Sequence, residues 1–211
     1  MPYLYNGRKF DIRCYMLVTS LAGRIRAYWY DEGYIRTSSK EFTLNNLQNR
    51  MIHLTNDAVQ KWSEDYGRYE SCNKLSFREI DKYFREQSRN FQTARQEMKT
   101  LAADSLKATY RLLDPKKREF TFEVFGLDFL IDSKMKTWLI EANTNPCLEL
   151  SGSLLARIIP HMLENTLRIV LDPLFTVPEA STWPASRRFE YCSRVFSGNH
   201  YELLFDEQLD S

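Results

Sequence analysis

Residues 120–143 read FTFEVFGLDFLIDSKMKTWLIEAN, and this stretch decides the fold of the chain. Its first half, up to position 131, is rich in Phe, Val, Leu and Ile, as buried strands are. Residues 132–135 have the composition of a turn, and residues 136–143 return to a largely apolar pattern. The sequence therefore predicts a β-hairpin of two strands.

Three side chains with oxygen donors lie on this hairpin: Asp128, Glu141 and Asn143. A turn centred on Lys134 and Met135 would pair position 128 with position 141, and Asn143 would share the face of Glu141 because side chains alternate along a strand. Apolar residues flank the set, and an unpaired buried carboxylate is costly, so the three donors would need a cation. Oxygen ligands suit Mg²⁺. The alternative is that Asp128 and Glu141 lie at exposed strand ends.

A second strand, near the start of the chain, carries charge on one face. In residues 9–18, Lys9, Asp11 and Arg13 alternate with apolar residues that begin at Phe10. Two cations beside a carboxylate are suited to the phosphates of a nucleotide and its metal ion. The alternative is an ordinary charged face in contact with solvent.

The composition of the chain excludes several classes of protein. The 211 residues suffice for one large domain or two small ones. The net charge of +1 and the interspersed charges are typical of neither a nucleic-acid-binding nor a membrane protein, so we expect neither partner. The four cysteines are scattered without a CxxC pair, which argues against a zinc site or a disulfide framework and favours a reducing cytosol.

The rest of the sequence predicts a mixture of strands and helices. Ala22-Gly23 separates two strand-like runs, which indicates a second hairpin. Gly33 is expected to end the second strand of this hairpin. The predicted strands cover 8–19 and 24–31, and the predicted helices cover 57–63, 76–87, 89–113 and 153–171. From residue 176 the pattern weakens, which predicts an irregular C-terminal extension.

Five motifs, taken in order and spacing, resemble the tubulin–tyrosine ligase-like family of ATP-grasp enzymes. The resemblance covers residues 5–172. One motif alone would be weak evidence, whereas five in the family's order are strong evidence. The motifs are RKFDIR at 8–13, EGYIRTS at 32–38, HLTN at 53–56, FGLDF at 125–129 and WLIEANTNP at 138–146.

The resemblance implies an α+β, ATP-grasp-like fold, in which an antiparallel sheet packed by helices forms the C-terminal half of an ATP-grasp core. A partial catalytic domain would span residues 1–175, and the extension would span residues 176–211. The resemblance also implies an amino-acid ligase that uses ATP and Mg²⁺. In that reaction, ATP phosphorylates an acceptor carboxylate and the incoming amino group attacks the acyl phosphate.

The acceptors that the resemblance implies are the C-terminal tails of tubulin in microtubules. The protein would then act in the cytoplasm on the cytoskeleton, including the cilium, flagellum or basal body. Glutamate is the favoured free amino acid, because Lys74 could hold its second carboxylate. Glycine ligation by the same fold is the alternative, and tyrosine is less favoured. A non-catalytic microtubule-associated protein is the alternative of a different class.

The resemblance further implies a role for each residue of the site. Phosphoryl transfer depends on positioning and on neutralising charge, and these residue types supply both. His53 lies within a motif but is predicted to be structural. The implied roles are contact with ATP for Lys9, Asp11, Thr55 and Asn56; catalysis for Arg13 and Arg36; binding of the amino acid for Arg36 and Lys74; and Mg²⁺ coordination for Asp128, Glu141 and Asn143.

In the family, the catalytic unit begins well upstream of the motif that contains Lys9, whereas this sequence begins eight residues before Lys9. We therefore expect the sequence to be part of a longer catalytic unit and to be inactive by itself. The alternative is a diverged relative without half of the ATP cleft.

Overall fold

The computed structural model describes residues 1–116, 118–175, 182–184, 187 and 198–210. In these residues an antiparallel sheet of seven strands is covered by helices, so the predicted α+β class is confirmed. The strands are β1 (Leu4–Tyr5), β2 (Arg8–Leu21), β3 (Arg24–Glu41), β4 (Lys74–Ser76), β5 (Phe120–Ile131), β6 (Thr137–Asn143) and β7 (Tyr201–Asp206). The helices are α1 (Arg50–His53), α2 (Asp57–Gln60), α3 (Phe77–Glu86), α4 (Phe91–Leu113), α5 (Gly152–Val170) and α6 (Glu207–Asp210), with a short 3-10 helix at Ser71–Asn73.

The sheet is built on the long hairpin of β2 and β3. The strand order is β4-β3-β2-β5-β6, with β1 paired to β2 and β7 paired to β3. Ala22 and Gly23 both have positive φ, 52° and 71°, as the tight turn of a twisted hairpin requires. The predicted hairpin is confirmed, but β3 continues ten residues beyond its predicted end at position 31.

Gly33 lies inside β3 and does not end it. It pairs with Cys14 of β2, next to a shift in register. A Cβ atom at this position would lie 2.4 Å from the carbonyl oxygen of Arg13 and 2.7 Å from the ring of Phe77. The glycine is therefore required because another backbone and a ring approach it closely.

The hairpin of β5 and β6 pairs Asp128 with Glu141, as predicted. The turn is tighter than expected, because the backbone N–H of Asp132 donates to the carbonyl of Lys136 at 3.0 Å. The tighter turn pairs Ile131 with Thr137, one position off the predicted register. A β-bulge between Asp128 and Phe129 then restores that register at the Asp128 end.

One face of the sheet packs against α3 and α4. The buried side of α4 includes Phe91, Met98 and Leu106, which meet Phe10, Ile12 and other apolar residues of β2. The predicted capping box of α3 is present, since the side chains of Ser76 and Glu79 each bond the other residue's backbone N–H. This face holds the larger hydrophobic core.

The opposite face packs against α5 over only part of its length. Leu155, Ile159 and Met162 of the helix lie in a cluster with Tyr15 and Tyr30 of the sheet. Since side chains alternate, Tyr15 shares its face with the charged residues at the start of β2. Helix α5 therefore covers the aromatic part of this face and leaves its charged end open. No helix among the described residues is long and apolar enough to cross a lipid bilayer.

The structure differs from the sequence prediction over residues 201–206. That segment was expected to lie in an irregular extension, but it forms β7 and pairs antiparallel with β3. Phe205 is buried in the core, and Asp206 is paired with Arg24 and Arg26. A six-residue strand at a sheet edge has too little pattern of its own to be recognised. Most of residues 176–197 lie outside the described residues, and the boundary at residue 175 stays a prediction.

Candidate active site

The open end of the α5-covered face carries a row of ionic side chains across three strands. Lys74 of β4 pairs with Arg36 of β3, and Arg36 pairs with Asp11 of β2. Directly paired residues of antiparallel strands project on the same face. This row therefore places two cations and one carboxylate side by side.

A second row lies beside the first and crosses β2, β5 and β6. Arg13 pairs with Asp128, and Asp128 pairs with Glu141. Lys9, Asp11 and Arg13, which were predicted to share a face of β2, thus lie beside Asp128 and Glu141 of the β5–β6 hairpin. The order of the strands in the sheet brings the two together.

Asp128 is the centre of this lattice of charges. Its carboxylate accepts hydrogen bonds from Arg13 Nε at 2.5 Å, from Arg13 Nη2 at 3.1 Å and from Arg36 Nη2 at 2.8 Å. Only 4% of the residue is exposed. Burial by itself would raise the pKa of Asp128, but the bonds and charges of the two guanidinium groups outweigh it and lower the pKa below its usual value.

Arg36 joins the two rows. Its guanidinium donates to the two carboxylate oxygens of Asp11, at 2.7 and 2.8 Å, as well as to Asp128. Burial would lower the pKa of Arg36, but the two carboxylates raise it, so this cation is permanent. Thr55 donates a hydrogen bond to Asp11 at 2.5 Å. Thr55, which was predicted to belong to the site, is therefore in direct contact with the charged rows.

The end of α1 is attached to β2 through a lysine side chain. Lys9 Nζ donates to the carbonyl oxygen of His53 at 2.7 Å. The His53 ring instead contacts the carbonyl of Asn46 at 2.9 Å and the ring of Phe42 at 5.7 Å between centroids. These contacts support the predicted structural role of His53. Asn56 precedes α2 without a capping hydrogen bond from its side chain.

Lys74 is buried and has a partner that the sequence did not indicate. Its ammonium donates to Asp57 Oδ1 at 2.8 Å and to the carbonyl of Cys72 at 3.1 Å. Tyr66 also donates to Asp57 Oδ1, at 2.7 Å. Burial would raise the pKa of Asp57, but these bonds lower it, so the carboxylate is ionised at neutral pH.

Gly126 gives the guanidinium of Arg13 the space it occupies. A Cβ atom at residue 126 would lie 2.7 Å from Pro146 Cβ and 3.2 Å from Arg13 Nη1. The glycine of the FGLDF motif and the proline of the last motif thus meet at Arg13. The sequence motifs include both residues, but only the fold shows why they occur together.

All ten predicted site residues line one cavity of about 590 Å³. The cavity also includes residues that sequence reasoning did not assign to the site. A larger cavity, of about 830 Å³, lies next to it and shares Lys74 and Ser151 with it. The smaller cavity is the candidate site, because the charged rows and the loop before α2 meet there. The unassigned lining residues include Tyr34, Asp57, Leu130, Ile140, Cys147 and Glu149.

Comparison with known proteins identifies the family of the chain. A sequence profile of the tubulin-tyrosine ligase family matches residues 1–179. The chain belongs to this family. The resemblance inferred from the five motifs is therefore confirmed.

Relatives in the tubulin-tyrosine ligase family include enzymes named for two amino acids. The chain is 36% identical over 171 residues to a probable tubulin polyglutamylase TTLL9 of Rattus norvegicus, a match over 80% of the chain and 36% of that protein. It is 31% identical over 174 residues to tubulin glycylase 3B of Tetrahymena thermophila, over 81% of the chain and 14% of that protein.

A third relative is matched over nearly the whole chain. The probable alpha-tubulin polyglutamylase Ttll1 of Tetrahymena thermophila is 33% identical over 211 residues, which are 98% of the chain and 48% of that protein. The chain thus spans less than half the length of each of these three family members.

The structure corrects one argument for the metal site of this family member. Asp128 was expected to be a buried carboxylate that needs a metal ion, but Arg13 and Arg36 neutralise it. Glu141 is exposed, and its Oε1 accepts a hydrogen bond from Asn143 Nδ2 at 3.1 Å. The burial of the Asp128 carboxylate therefore does not by itself require a metal ion. Among the described residues, no three His, Cys, Asp or Glu side chains form a metal-binding group.

The donor set nevertheless fits Mg²⁺ by its chemistry. Asp128, Glu141 and Asn143 line the same cavity and offer oxygen atoms, which hard divalent cations prefer. Asp128 Oδ1 accepts one hydrogen bond, from Arg13, and so keeps a second lone pair for another partner. The assignment of these three residues to Mg²⁺ stays a prediction.

Asp57 is one of three charged lining residues that sequence reasoning missed, with Lys61 and Glu149. It follows Asn56 directly in the chain and lines the cavity. Thr55 and Asn56 of the HLTN motif were assigned to ATP, which carries several negative charges. A carboxylate directly after that motif is unusual, and this signal could have drawn attention to Asp57. Its pairing with Lys74 could not have been found, because the two residues lie on separate elements.

Proposed function

We propose that this protein takes part in the ATP-dependent ligation of an amino acid to a glutamate side-chain carboxylate of tubulin. The observation that carries the proposal is the meeting of Lys9, Arg13 and Arg36 with Asp128 and Glu141 around one cavity. Fixed cations in a partly buried site stabilise the charge that develops as a phosphoryl group moves. The relatives named as tubulin polyglutamylases and a tubulin glycylase support tubulin as the acceptor.

The proposed reaction has two steps. In the first, an oxygen of the acceptor carboxylate attacks the γ-phosphorus of ATP, and ADP leaves. In the second, the amino group of the free amino acid attacks the acyl carbon, phosphate leaves and an amide bond forms. Lys9 and Arg13 would offset the charge of the phosphates, and Arg36 would hold a phosphate or the α-carboxylate of the amino acid. Thr55 would orient Asp11 and, with Asn56, contact the nucleotide.

A bound Mg²⁺ ion would neutralise phosphate oxygens and orient ATP. Glu141, Asn143 and Asp128 would hold it, because their oxygen atoms line the same cavity. In this proposal the chain supplies the C-terminal half of an ATP-grasp core. The sheet, with β2, β5 and β6 side by side, would form one wall of the ATP cleft.

Glutamate is the first candidate for the amino acid. Lys74 lies beside Arg36, so two cations are available for the two carboxylates of glutamate. Glycine is the second candidate, because Asp57 already neutralises Lys74 and one relative is named as a glycylase. Both versions place the protein on microtubules in the cytoplasm, including those of cilia.

The test is a ligation assay on the native protein purified from its source cells, with its intact mass measured first. The assay supplies ATP, Mg²⁺, tubulin and labelled glutamate, glycine or tyrosine. We expect ATP-dependent transfer of glutamate to the tubulin tails, located by mass spectrometry. Binding to microtubules without transfer of any of the three amino acids would contradict the proposal and favour a non-catalytic microtubule-associated protein.

The 211-residue chain assayed by itself tests the half-site separately. We expect it to transfer no amino acid, because in this proposal the chain supplies one half of the ATP cleft. Turnover by this chain would show that the described cavity is a complete site.

A further inference from the structure

Asp57 and Lys74 form an ion pair in the wall of the candidate site. The Lys74 side chain is only 4% exposed, whereas the Asp57 side chain is 33% exposed. The lysine is thus held in place by burial and by the carbonyl of Cys72, and the aspartate has access to water. Tyr66 also donates to Asp57. Of the two partners Asp57 is nevertheless the more exposed, so it is the one that an incoming carboxylate would displace.

The position of Lys74 makes this pair relevant to substrate choice. Lys74 pairs with Arg36 across β4 and β3, so their side chains are neighbours on one face. Arg36 contacts Asp11 and Asp128 and is the residue proposed to hold the first carboxylate of the amino acid. The second carboxylate of a ligand such as glutamate would therefore bind Lys74. Asp57 is already paired with Lys74.

The charge of the whole cavity leads to the same conclusion. Of the residues that the structure describes, five basic and five acidic side chains line it, so their charges balance while Asp57 is ionised. Removal of the Asp57 charge leaves one cation in excess. The basic residues are Lys9, Arg13, Arg36, Lys61 and Lys74, and the acidic ones are Asp11, Asp57, Asp128, Glu141 and Glu149.

We propose that Asp57 is a specificity-determining residue that competes with the side-chain carboxylate of incoming glutamate for Lys74. This inference rests on the proposed function, because it takes the cavity as the amino-acid site. The competition reduces the apparent affinity for glutamate in proportion to the fraction of molecules in which Lys74 is free, so a smaller free fraction means weaker binding. It leaves the affinity for glycine unchanged, because glycine has no side-chain carboxylate. Asp57 thereby narrows the preference for glutamate over glycine.

The experiment measures equilibrium binding of amino acids to the native protein and its variants by calorimetry, with Mg²⁺ and a non-hydrolysable ATP analogue present. The ligands are glutamate, its neutral isostere glutamine, and glycine. We expect Asp57→Asn to bind glutamate about tenfold more tightly and to bind glutamine and glycine within about twofold of the wild type. In a Lys74→Met background, Asp57→Asn should no longer change glutamate affinity.

Two further variants keep the test decisive. Asp65→Asn is the matched control, because Asp65 pairs with Lys40 and Arg68 and does not line the cavity. We expect it to leave glutamate affinity unchanged. Thermal unfolding checks that each variant is folded, and Asp57→Ser replaces Asp57→Asn if the latter is not.

The outcomes separate this inference from the proposed function. Unchanged or weaker glutamate binding in a folded Asp57 variant, an equal gain for glutamine, or no glutamate binding in any variant would overturn the inference. Ligation of glutamate to tubulin by a protein without this dependence on Asp57 would leave the proposed function intact. Tighter glutamate binding in the variant, without any ligation, would support the inference and contradict the proposed reaction.

Discussion

Arg13 and Asp128 face each other across β2 and β5, and the guanidinium donates to both oxygens of the carboxylate, at 2.5 and 3.1 Å. Both side chains are buried, and Arg36 adds a third hydrogen bond to Asp128. The pair therefore has a structural role in addition to its proposed catalytic one. The motif that contains Arg13 and the motif that contains Asp128 stabilise each other.

Substitution Asp128→Asn should lower the free energy of unfolding by about 3 kcal/mol, because it leaves two buried guanidinium groups without their shared anion. Urea denaturation at pH 7 measures this. The matched control is Glu164→Gln, which removes one carboxylate from an exposed pair with Arg168 and should cost about 0.5 kcal/mol or less. Equal effects of the two substitutions would show that the buried pair adds no stability.

The stability that Asp128 provides should be lost in acid. The pKa of Asp128 is lowered in the folded protein, whereas it is about 3.9 in an unfolded chain, so protons bind the unfolded state first as pH falls. The contribution is fully present above the unfolded pKa and is lost as pH falls through the folded pKa. The difference in unfolding free energy between wild type and Asp128→Asn should therefore shrink below about pH 4. Urea midpoints from pH 7 to pH 3 measure it, and a constant difference would refute the pairing.

Substitution Gly126→Ala should disturb Arg13 without changing any charge. The new Cβ atom would lie 2.7 Å from Pro146 Cβ and 3.2 Å from Arg13 Nη1, and such overpacking costs about 1–3 kcal/mol. We expect the variant of the native protein to bind ATP more weakly as well, which calorimetry measures. Gly23→Ala is the control, since it costs about 1 kcal/mol through its positive φ but lies in a distant turn. Loss of ATP affinity in both variants would show that the effect is one of general stability.

Substitution Glu141→Gln should separate the proposed metal role from stability. Glu141 is exposed, so the free energy of unfolding should change by about 0.5 kcal/mol or less. The enhancement of ATP binding by Mg²⁺ should be lost, because a carboxylate ligand is removed. Titration of the native protein and its variant with ATP, in the presence and in the absence of Mg²⁺, measures this loss. Glu149→Gln removes another carboxylate from the same cavity and should retain the enhancement; the same loss there would argue against a specific Mg²⁺ site.

Substitution Phe205→Ala tests whether β7 belongs to the fold. Phe205 is 1% exposed and its ring lies 5.1 Å from that of Tyr110, so its removal should cost about 3–5 kcal/mol. Thermal and urea unfolding measure the loss. Leu203→Ala is the control on the same strand, where the side chain is 49% exposed, and it should cost far less. A small effect at Phe205 would support the predicted domain boundary at residue 175.

The sequence by itself determined the local structure of this protein. Alternation along β2 placed Lys9, Asp11 and Arg13 on one face, and the β5–β6 hairpin placed Asp128 close to Glu141, although a β-bulge that the sequence did not predict sets their direct pairing. Such features depend on the period of a strand and on a short turn, and both can be read from neighbouring residues. The family motifs added the order of the site residues, and the cavity includes all of them.

Only the tertiary structure decided how the charges are paired. The arginines that neutralise Asp128 lie on β2 and β3, and the aspartate that neutralises Lys74 lies on a separate helix. Strand order in the sheet and the route of a loop decide such contacts, and neither leaves a periodic signal in the sequence. For the same reason β7 was missed: its six residues become a strand because the edge of β3 supplies their hydrogen-bond partners.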